Sequence, residues 1–254
     1  MAERDKELQL LEKRFAELAD RAWQQNLFVF TGFLSLAEQE VLWRSAAKAG
    51  VHIELYGGMD GAERCMGRFG DPEEFGYEEP FPICAVKIEP LAEKFAENFS
   101  HRDFMGAILN LGIDRSTIGD ICVEGKCAYV FCTSAMSVFL QETLEQVRHT
   151  KVRCIRLEAA EGLPERKFAY HEENVASLRG DGIVGAVWKL SRSQSQTLFS
   201  QKKVFVNGLL TENGSRQLKD GDTVSVRGFG KFIFRGEKHT TRKGKLVVGV
   251  DVFV

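Results

Sequence analysis

The side chains best placed to do chemistry sit in K-L-S-R-S-Q-S, Lys189 to Ser195. Two hydroxyls flank an arginine there, with a lysine just ahead. A serine before a helix caps it and leaves the first N–H groups facing outward, at the positive end of the helix dipole. With Arg192 beside them, these groups form a seat for a phosphate. That phosphate could belong to a nucleotide being consumed or to the backbone of a polynucleotide being held. The first chemistry makes the chain an enzyme and the second a binding protein.

The enzyme readings fail on their partners. K-L-S-R-S is close to K-M-S-K-S, the ATP loop of class I aminoacyl-tRNA synthetases. That mechanism also needs a H-I-G-H-like tetrapeptide on a parallel, doubly wound sheet. Only H-I-E-L at His52 offers itself, without the glycine that admits ATP and without a second histidine. H-R-D-F-M-G-A-I-L-N, His101 to Asn110, approaches the kinase loop H-R-D-x-x-x-x-N, but its Asn stands two places too far on and no D-F-G follows. Asp103 reads instead as a helix cap, with Phe104, Ile108 and Leu111 facing inward. The glycines at 57, 58, 67 and 70 fit no phosphate loop. No catalytic residue is expected.

Cys65, Cys84, Cys122, Cys127, Cys132 and Cys154 contain no C-x-x-C pair, and Cys122, Cys127 and Cys132, spaced by four intervening residues, fit no common zinc spacing and have no histidine close by in sequence. They read as reduced, mostly buried thiols, and neither metal nor cofactor is expected.

The elements that must position these groups follow from composition and periodicity. The 254 residues are 44% hydrophobic and 28% charged, as in a soluble globular protein. The start, M-A-E-R-D-K, is charged and no apolar run is long enough to span a bilayer, so a cytoplasmic location is expected. The net charge of −2 hides an asymmetry. Residues 1–170 carry 20 Lys and Arg against 28 Asp and Glu, a net of −8; residues 171–254 carry 14 against 8, a net of +6. A basic module on an acidic body is the footprint of a chain that touches nucleic acid at one end.

Leu8, Leu11, Phe15, Leu18 and Ala22 recur on one helical face. A second helix follows Ser35, with Glu38 completing a capping box, and stops at Gly50. V-H-I-E-L-Y-G is a strand, and the glycine- and acid-rich run after it ends in a boundary near residue 79. Residues 80–160 then read strand–helix–strand–strand–helix–strand, with helices over 91–112 and from Ser134 to 150. This βαββαβ order predicts a four-stranded sheet backed by two helices, the order of RNA-recognition motifs. Their aromatic stacking strand is absent, and core packing explains Tyr129 and Phe131. A linker is expected at 161–168. From Val175 a helix is broken or delayed by Gly180 and Gly182, a second helix starts at Ser191, and strands flank the Asn207-Gly208 and Asp220-Gly221 turns.

Residues 177–235 resemble the ribosomal-protein S-four type of RNA-binding domain, the alpha-L motif. The matching letters are Arg179 and Asp181, Leu190-Ser191-Arg192-Ser193, Leu198, Val204, Val206-Asn207-Gly208 and Leu218-Lys219-Asp220-Gly221-Asp222. On this reading K-L-S-R-S-Q-S is the hinge between two helices. Ser195, Leu198 and Phe199 face inward, and a basic face binds phosphates of a folded RNA. The RNA-binding residues expected are Arg179, Lys189, Arg192, Ser193, Gln196, Lys202, Lys203, Asn207, Arg227 and Lys231, with secondary contacts at Arg64, Arg68, Arg102 and Arg115. Gly180 replaces the usual Leu, and with Gly182 should weaken the first helix by roughly 1–2 kcal/mol. Lys202 replaces a turn glycine and so implies a strained left-handed residue.

Residues 101–123, with Y-G-G-M-D-G-A-E-R-C-M-G-R-F-G and V-S-V-R-G-F-G-K-F, are similar to the YlmH family of bacterial proteins and their plastid relatives. The resemblance implies an α+β protein of three parts: a small N-terminal α/β domain over 1–79, an RRM-like βαββαβ domain over 80–160, and an S-four-type domain over 171–254. It implies a monomeric, non-enzymatic partner of rRNA and tRNA on the large ribosomal subunit, engaged with peptidyl-tRNA during quality control of stalled translation. The rival is an RNA-modifying enzyme, a pseudouridine synthase or methyltransferase, that docks through the same module. In those enzymes the module usually precedes the catalytic domain, whereas here it comes last.

Overall fold

The computed structural model describes residues 2–157, 163, 167–242 and 244–253. Two compact units divide the chain, Met1–Glu165 and Arg166–Val254. Among the described residues, no helix is long and apolar enough to cross a membrane.

The first unit opens with α1 (Ala2–Gln25), β1 (Val29–Leu34), α2 (Leu36–Ala49), β2 (Ile53–Tyr56), β3 (Cys65–Phe69) and the single-turn α3 (Pro72–Phe75). The strands form an antiparallel sheet in the order β1-β3-β2. The expected stripe on α1 is real: Phe15, Ala19 and Ala22 are buried against Val41, Leu42 and Ala46 of α2. The Ser35–Glu38 box is also present, with the Ser35 N–H donating to Glu38 Oε2 at 2.7 Å, and Gly50 ends α2 at φ +67°. Periodicity did not reveal β1 or β3. All five residues of β3 are buried, so no polar face marks it as a strand. Gly67 is required there, because a Cβ would lie 2.6 Å from Leu42 Cδ2.

The same unit continues with β4 (Ile83–Pro90), α4 (His101–Leu109), β5 (Ile118–Glu124), β6 (Cys127–Thr133), α5 (Ser134–Thr143), β7 (Gln146–Val147) and β8 (Thr150–Leu157). Their antiparallel sheet runs β5-β6-β4-β8-β7. The strand–helix alternation is as expected, but both helices are shorter. In residues 91–112 only a 3-10 turn at Glu93–Phe95 precedes α4, which Ser100 starts by donating its N–H to Asp103 Oδ2 at 2.8 Å. Asp103 therefore lies in the first turn, not ahead of it. Thr133, not Ser134, caps α5. Past Thr143 the chain forms the tight β7–β8 hairpin, where Arg148 takes φ +53° and pairs with Glu97 at 3.4 Å.

One face of this sheet packs Val86, Val130 and Val152 on Phe104, Ile108 and Leu140. On the other face Ala85 and Phe131 meet Phe33 and Met66 from the N-terminal sheet. Tyr129 and Phe131 are 8% and 1% exposed, so neither offers a ring for stacking. All six cysteines are free thiols, and burial pushes Cys132 and Cys154 up to about 12, which keeps both unreactive at neutral pH.

The second unit contains β9 (Phe168–Val175), α6 (Gly180–Val187), α7 (Arg192–Ser200), β10 (Val204–Val206), β11 (Leu209–Leu210), β12 (Thr223–Val226), β13 (Gly230–Thr240) and β14 (Leu246–Phe253). A six-stranded antiparallel sheet runs β11-β10-β12-β13-β14-β9. Its even-numbered valines and phenylalanines on β10, β12, β13 and β14 pack under Ile183, Val184, Leu198 and Phe199 of the two helices. Val175, expected to open a helix, instead ends β9, and α6 begins at Gly180. Both early glycines therefore fall in the first turn, where the Gly180 N–H reaches Arg216 O at 2.8 Å and the full interior-glycine cost does not apply. The linker expected at 161–168 lies largely outside the described residues.

Candidate nucleic-acid interface

The start of α7 is built as its letters require. Ser191, not Ser193, is the cap: its Oγ accepts the Gln194 N–H at 3.3 Å, and Gln194 returns a bond to the Ser191 N–H at 2.9 Å. Ser193 reaches only Ser191 Oγ, at 3.2 Å, and is exposed. Arg192 is the first residue of α7 and is also exposed, so its guanidinium and the N–H groups of the first turn share one rim. That rim borders a cleft of ≈ 390 Å³ lined by Arg179, Gly182, Ala186 and Arg192 among others. Lys189 holds a left-handed conformation at φ +52°, and its Nζ pairs with both Glu173 oxygens, at 2.7 and 2.8 Å.

Asp181 fixes the angle between α6 and α7. Its carboxylate accepts two parallel bonds from Arg179, at 3.0 and 2.7 Å, and a third from Gln196 at 3.3 Å. Its carbonyl accepts the buried Ser195 hydroxyl at 2.6 Å, and its N–H donates to Gly214 O. Gln196 thus serves this network before it can serve a ligand. Arg179 is oriented by the fork, with 37% of its side chain still exposed. Bonding to Arg179 holds the Asp181 carboxyl below the usual carboxylate range. A depressed folded value stabilises the fold above the ordinary pKa of about 4, and that contribution disappears as pH falls through the folded value. Asp181→Asn is therefore expected to lower stability by about 1–3 kcal/mol at pH 7. In circular-dichroism melts the gap to the wild type should narrow in acid; a gap that stays constant would contradict this account.

The remaining expected residues divide. Lys202 and Lys203 are exposed at the far end of α7, about 13 Å from its start for nine residues at 1.5 Å each. Lys202 adopts φ +59°, as its place in the turn implied, and its Nζ lies 3.6 Å from Glu212. Asn207 is held by structure: its side chain donates to Asp222 and accepts the Thr223 N–H, both at 2.9 Å, so one of its two N–H donors and one lone pair are already used. Arg227 and Lys231 lie on the other side of the sheet, over the rings of Phe205 and Phe253. The expected single basic face is thus split between two faces of one sheet.

Among the secondary arginines, three are structural. Arg68 is 3% exposed, pairs with Glu54 and Glu78, and lies 4.9 Å from the Phe28 ring centroid. Arg64 donates to the carbonyls of Ile118, Phe33 and Arg115 at 2.7–3.0 Å. Arg115 donates to the Ile118 and Gly119 carbonyls, and burial, then the Arg64 charge, push it down to about 10. These side chains stitch segments of the first unit together, and reaching RNA would break those bonds. Arg102 alone is exposed, on α4. Sequence reasoning missed Asp120, the partner of this cluster, which accepts the N–H groups of Glu63 at 2.7 Å and Arg64 at 3.2 Å. A buried acid in a strand otherwise apolar was the available signal.

Residues 77–161 match the family described as "Putative RNA-binding domain in YlmH". This span holds β4 to β8, and its exposed cations include Arg102, Lys151, Arg153 and Arg156. The chain is 28% identical over 227 residues to the ribosome-associated protein quality control protein P2 of Bacillus subtilis (strain 168), covering 87% of this chain and 86% of that one. The solved cell division protein ylmH from Streptococcus pneumoniae shares the fold at TM-score 0.52 and 18% identity, covering 62% of this chain and 95% of its own. With a match to that family's domain in its middle and a relative aligned along most of both chains, this chain is similar to YlmH proteins over most of its length.

Proposed function

We propose that this chain is a non-enzymatic RNA-binding protein that docks on the large ribosomal subunit, against rRNA and a bound peptidyl-tRNA, during quality control of stalled translation. The observation that carries the reading is the start of α7, where a capped helix end, Arg192 and the Asp181-oriented Arg179 converge on one cleft. Phosphate contacts of this kind give affinity and register without reading base sequence, which suits a folded RNA. The letters of residues 177–235 support an S-four-type module there, and the quality-control name of the Bacillus subtilis relative supports the ribosomal setting. Sedimentation with ribosomal subunits, at low and moderate salt, tests it. The full chain is expected to travel with the large subunit, and a chain ending at Glu165, where the first unit closes, should lose most of that binding. A full chain that stays at the top of the gradient at both salts would refute the ribosomal reading, and a screen for base modification would then address the enzyme rival.

A further inference from the structure

The second unit has a face that its helices leave open. Strand alternation sends the even-numbered side chains of β10, β12, β14 and the first half of β13 into the core under α6 and α7 and the odd-numbered ones to the opposite side, and a register shift after Phe234 brings Lys238 to that opposite side as well. Register aligns Phe205, Ser225 and Lys231 in one row, and the Lys231 ammonium reaches over the Phe253 ring on the next strand. Thr223, Ile233, Asp251 and Tyr170 form the next. None of these residues is buried, and Tyr170 is 51% exposed.

Rings and cations are interleaved on this face. The Arg227 guanidinium lies 4.7 Å from the Phe205 centroid and the Lys231 ammonium 5.6 Å from that of Phe253. At the far edge Gly249 makes the floor. A Cβ there would fall 2.6 Å from Lys238 Cε, 2.9 Å from Tyr170 Oη and 3.2 Å from its Cε2, so ring and lysine stem lie flat across the glycine. Arg235 is neutralised in place by Asp251 at 2.6 Å.

We propose that this helix-free face is a platform for a short single-stranded stretch of RNA. Bases stack on Phe205 and Tyr170, and Arg227 and Lys238 meet the phosphates. Aromatic rings beside cations are the chemistry of strand-binding sheets, which hold about 4–16 nucleotides each. From β10 to β9 is four strand steps, about 19 Å at ~4.8 Å per step, enough for several nucleotides. A duplex has its base faces covered and cannot use the rings. A protein partner would favour a continuous apolar centre, which Thr223, Ser225 and the cations interrupt. The platform is separate from the α7 seat, so either can fail without the other.

The test is fluorescence anisotropy on the full chain, with a labelled uridine oligonucleotide of about 12 nucleotides and a blunt RNA duplex of the same length. Tyr170→Ala with Phe205→Leu keeps the fold's apolar contacts but removes both rings. This variant is expected to lose about tenfold in affinity for the oligonucleotide and to hold the duplex as the wild type does. Arg192→Glu should show the reverse pattern. Ultraviolet crosslinks from uridine to Tyr170, Phe205 or Phe253 would support the platform. A wild type without affinity for the oligonucleotide, a ring-less variant that binds both probes like the wild type, or equal losses on both would overturn it; the first result would turn attention to a protein occupant.

Discussion

Arg192→Glu is expected to weaken binding of the full chain to ribosomal RNA by about tenfold or more near 0.1 M salt, and to lower the slope of log affinity against log salt by about 1. The side chain is exposed at the first position of α7, where the helix dipole and the free N–H groups already favour an anion. Reversing its charge places a carboxylate in the seat meant for a phosphate. The same dipole tolerates glutamate at a helix start, so the fold should survive and the loss can be read as binding. Lys202→Ala with Lys203→Ala should act in the same direction but less strongly, because Glu212 already shares Lys202. Lys189→Ala should cost least, since Glu173 holds that ammonium with two bonds. Filter binding across a salt series measures all three. An unchanged slope in both the Arg192 and the double-lysine variants would remove the α7 seat from the interface.

Asp120→Ala should destabilise the first unit by about 3–5 kcal/mol. The carboxylate is 7% exposed and satisfies two backbone N–H groups, at Glu63 and Arg64, in the segment that leads into β3. It is also a countercharge for the Arg115 guanidinium and, after Glu38, for that of Arg64. Truncation leaves two part-buried N–H donors without this acceptor and the half-buried Arg115 without its acid. Asp120→Asn keeps one acceptor oxygen and should cost less. Hydrogen exchange read by mass spectrometry is the suitable measurement, because it separates the two units. Faster exchange is expected at residues 63–69 and 118–133, with the 168–253 amides unchanged. Uniform protection across the first unit would show that the cluster contributes nothing to its stability.

Much of the scaffold was legible from local chemistry. The α1 stripe, the Ser35–Glu38 box, the βαββαβ alternation and the cap at Ser191 all depend on neighbours within four residues, where side-chain spacing and hydrogen bonding are set by the sequence itself. The proposed phosphate seat was legible for the same reason, as a cap with an arginine beside it. Local rules failed where partners come from far along the chain. β3 shows no alternation because both its faces are covered. The helix expected after Thr143 yields to a hairpin that buries Val147.

Arginine shows the division most plainly. In sequence, Arg64, Arg68, Arg115 and Arg192 are equivalent cations, each free to meet a phosphate. Whether one of them does so depends on distant carbonyls and carboxylates: Ile118 and Phe33 for Arg64, Glu54 for Arg68, Gly119 for Arg115. The separation of Arg227 and Lys231 from the helix side likewise follows from strand register, not from composition. The sequence by itself determined that this protein carries a basic C-terminal module, the one proposed to hold phosphate. Only the tertiary structure decided which cations remain for it, because a guanidinium satisfied by buried acceptors would have to break those bonds to reach RNA.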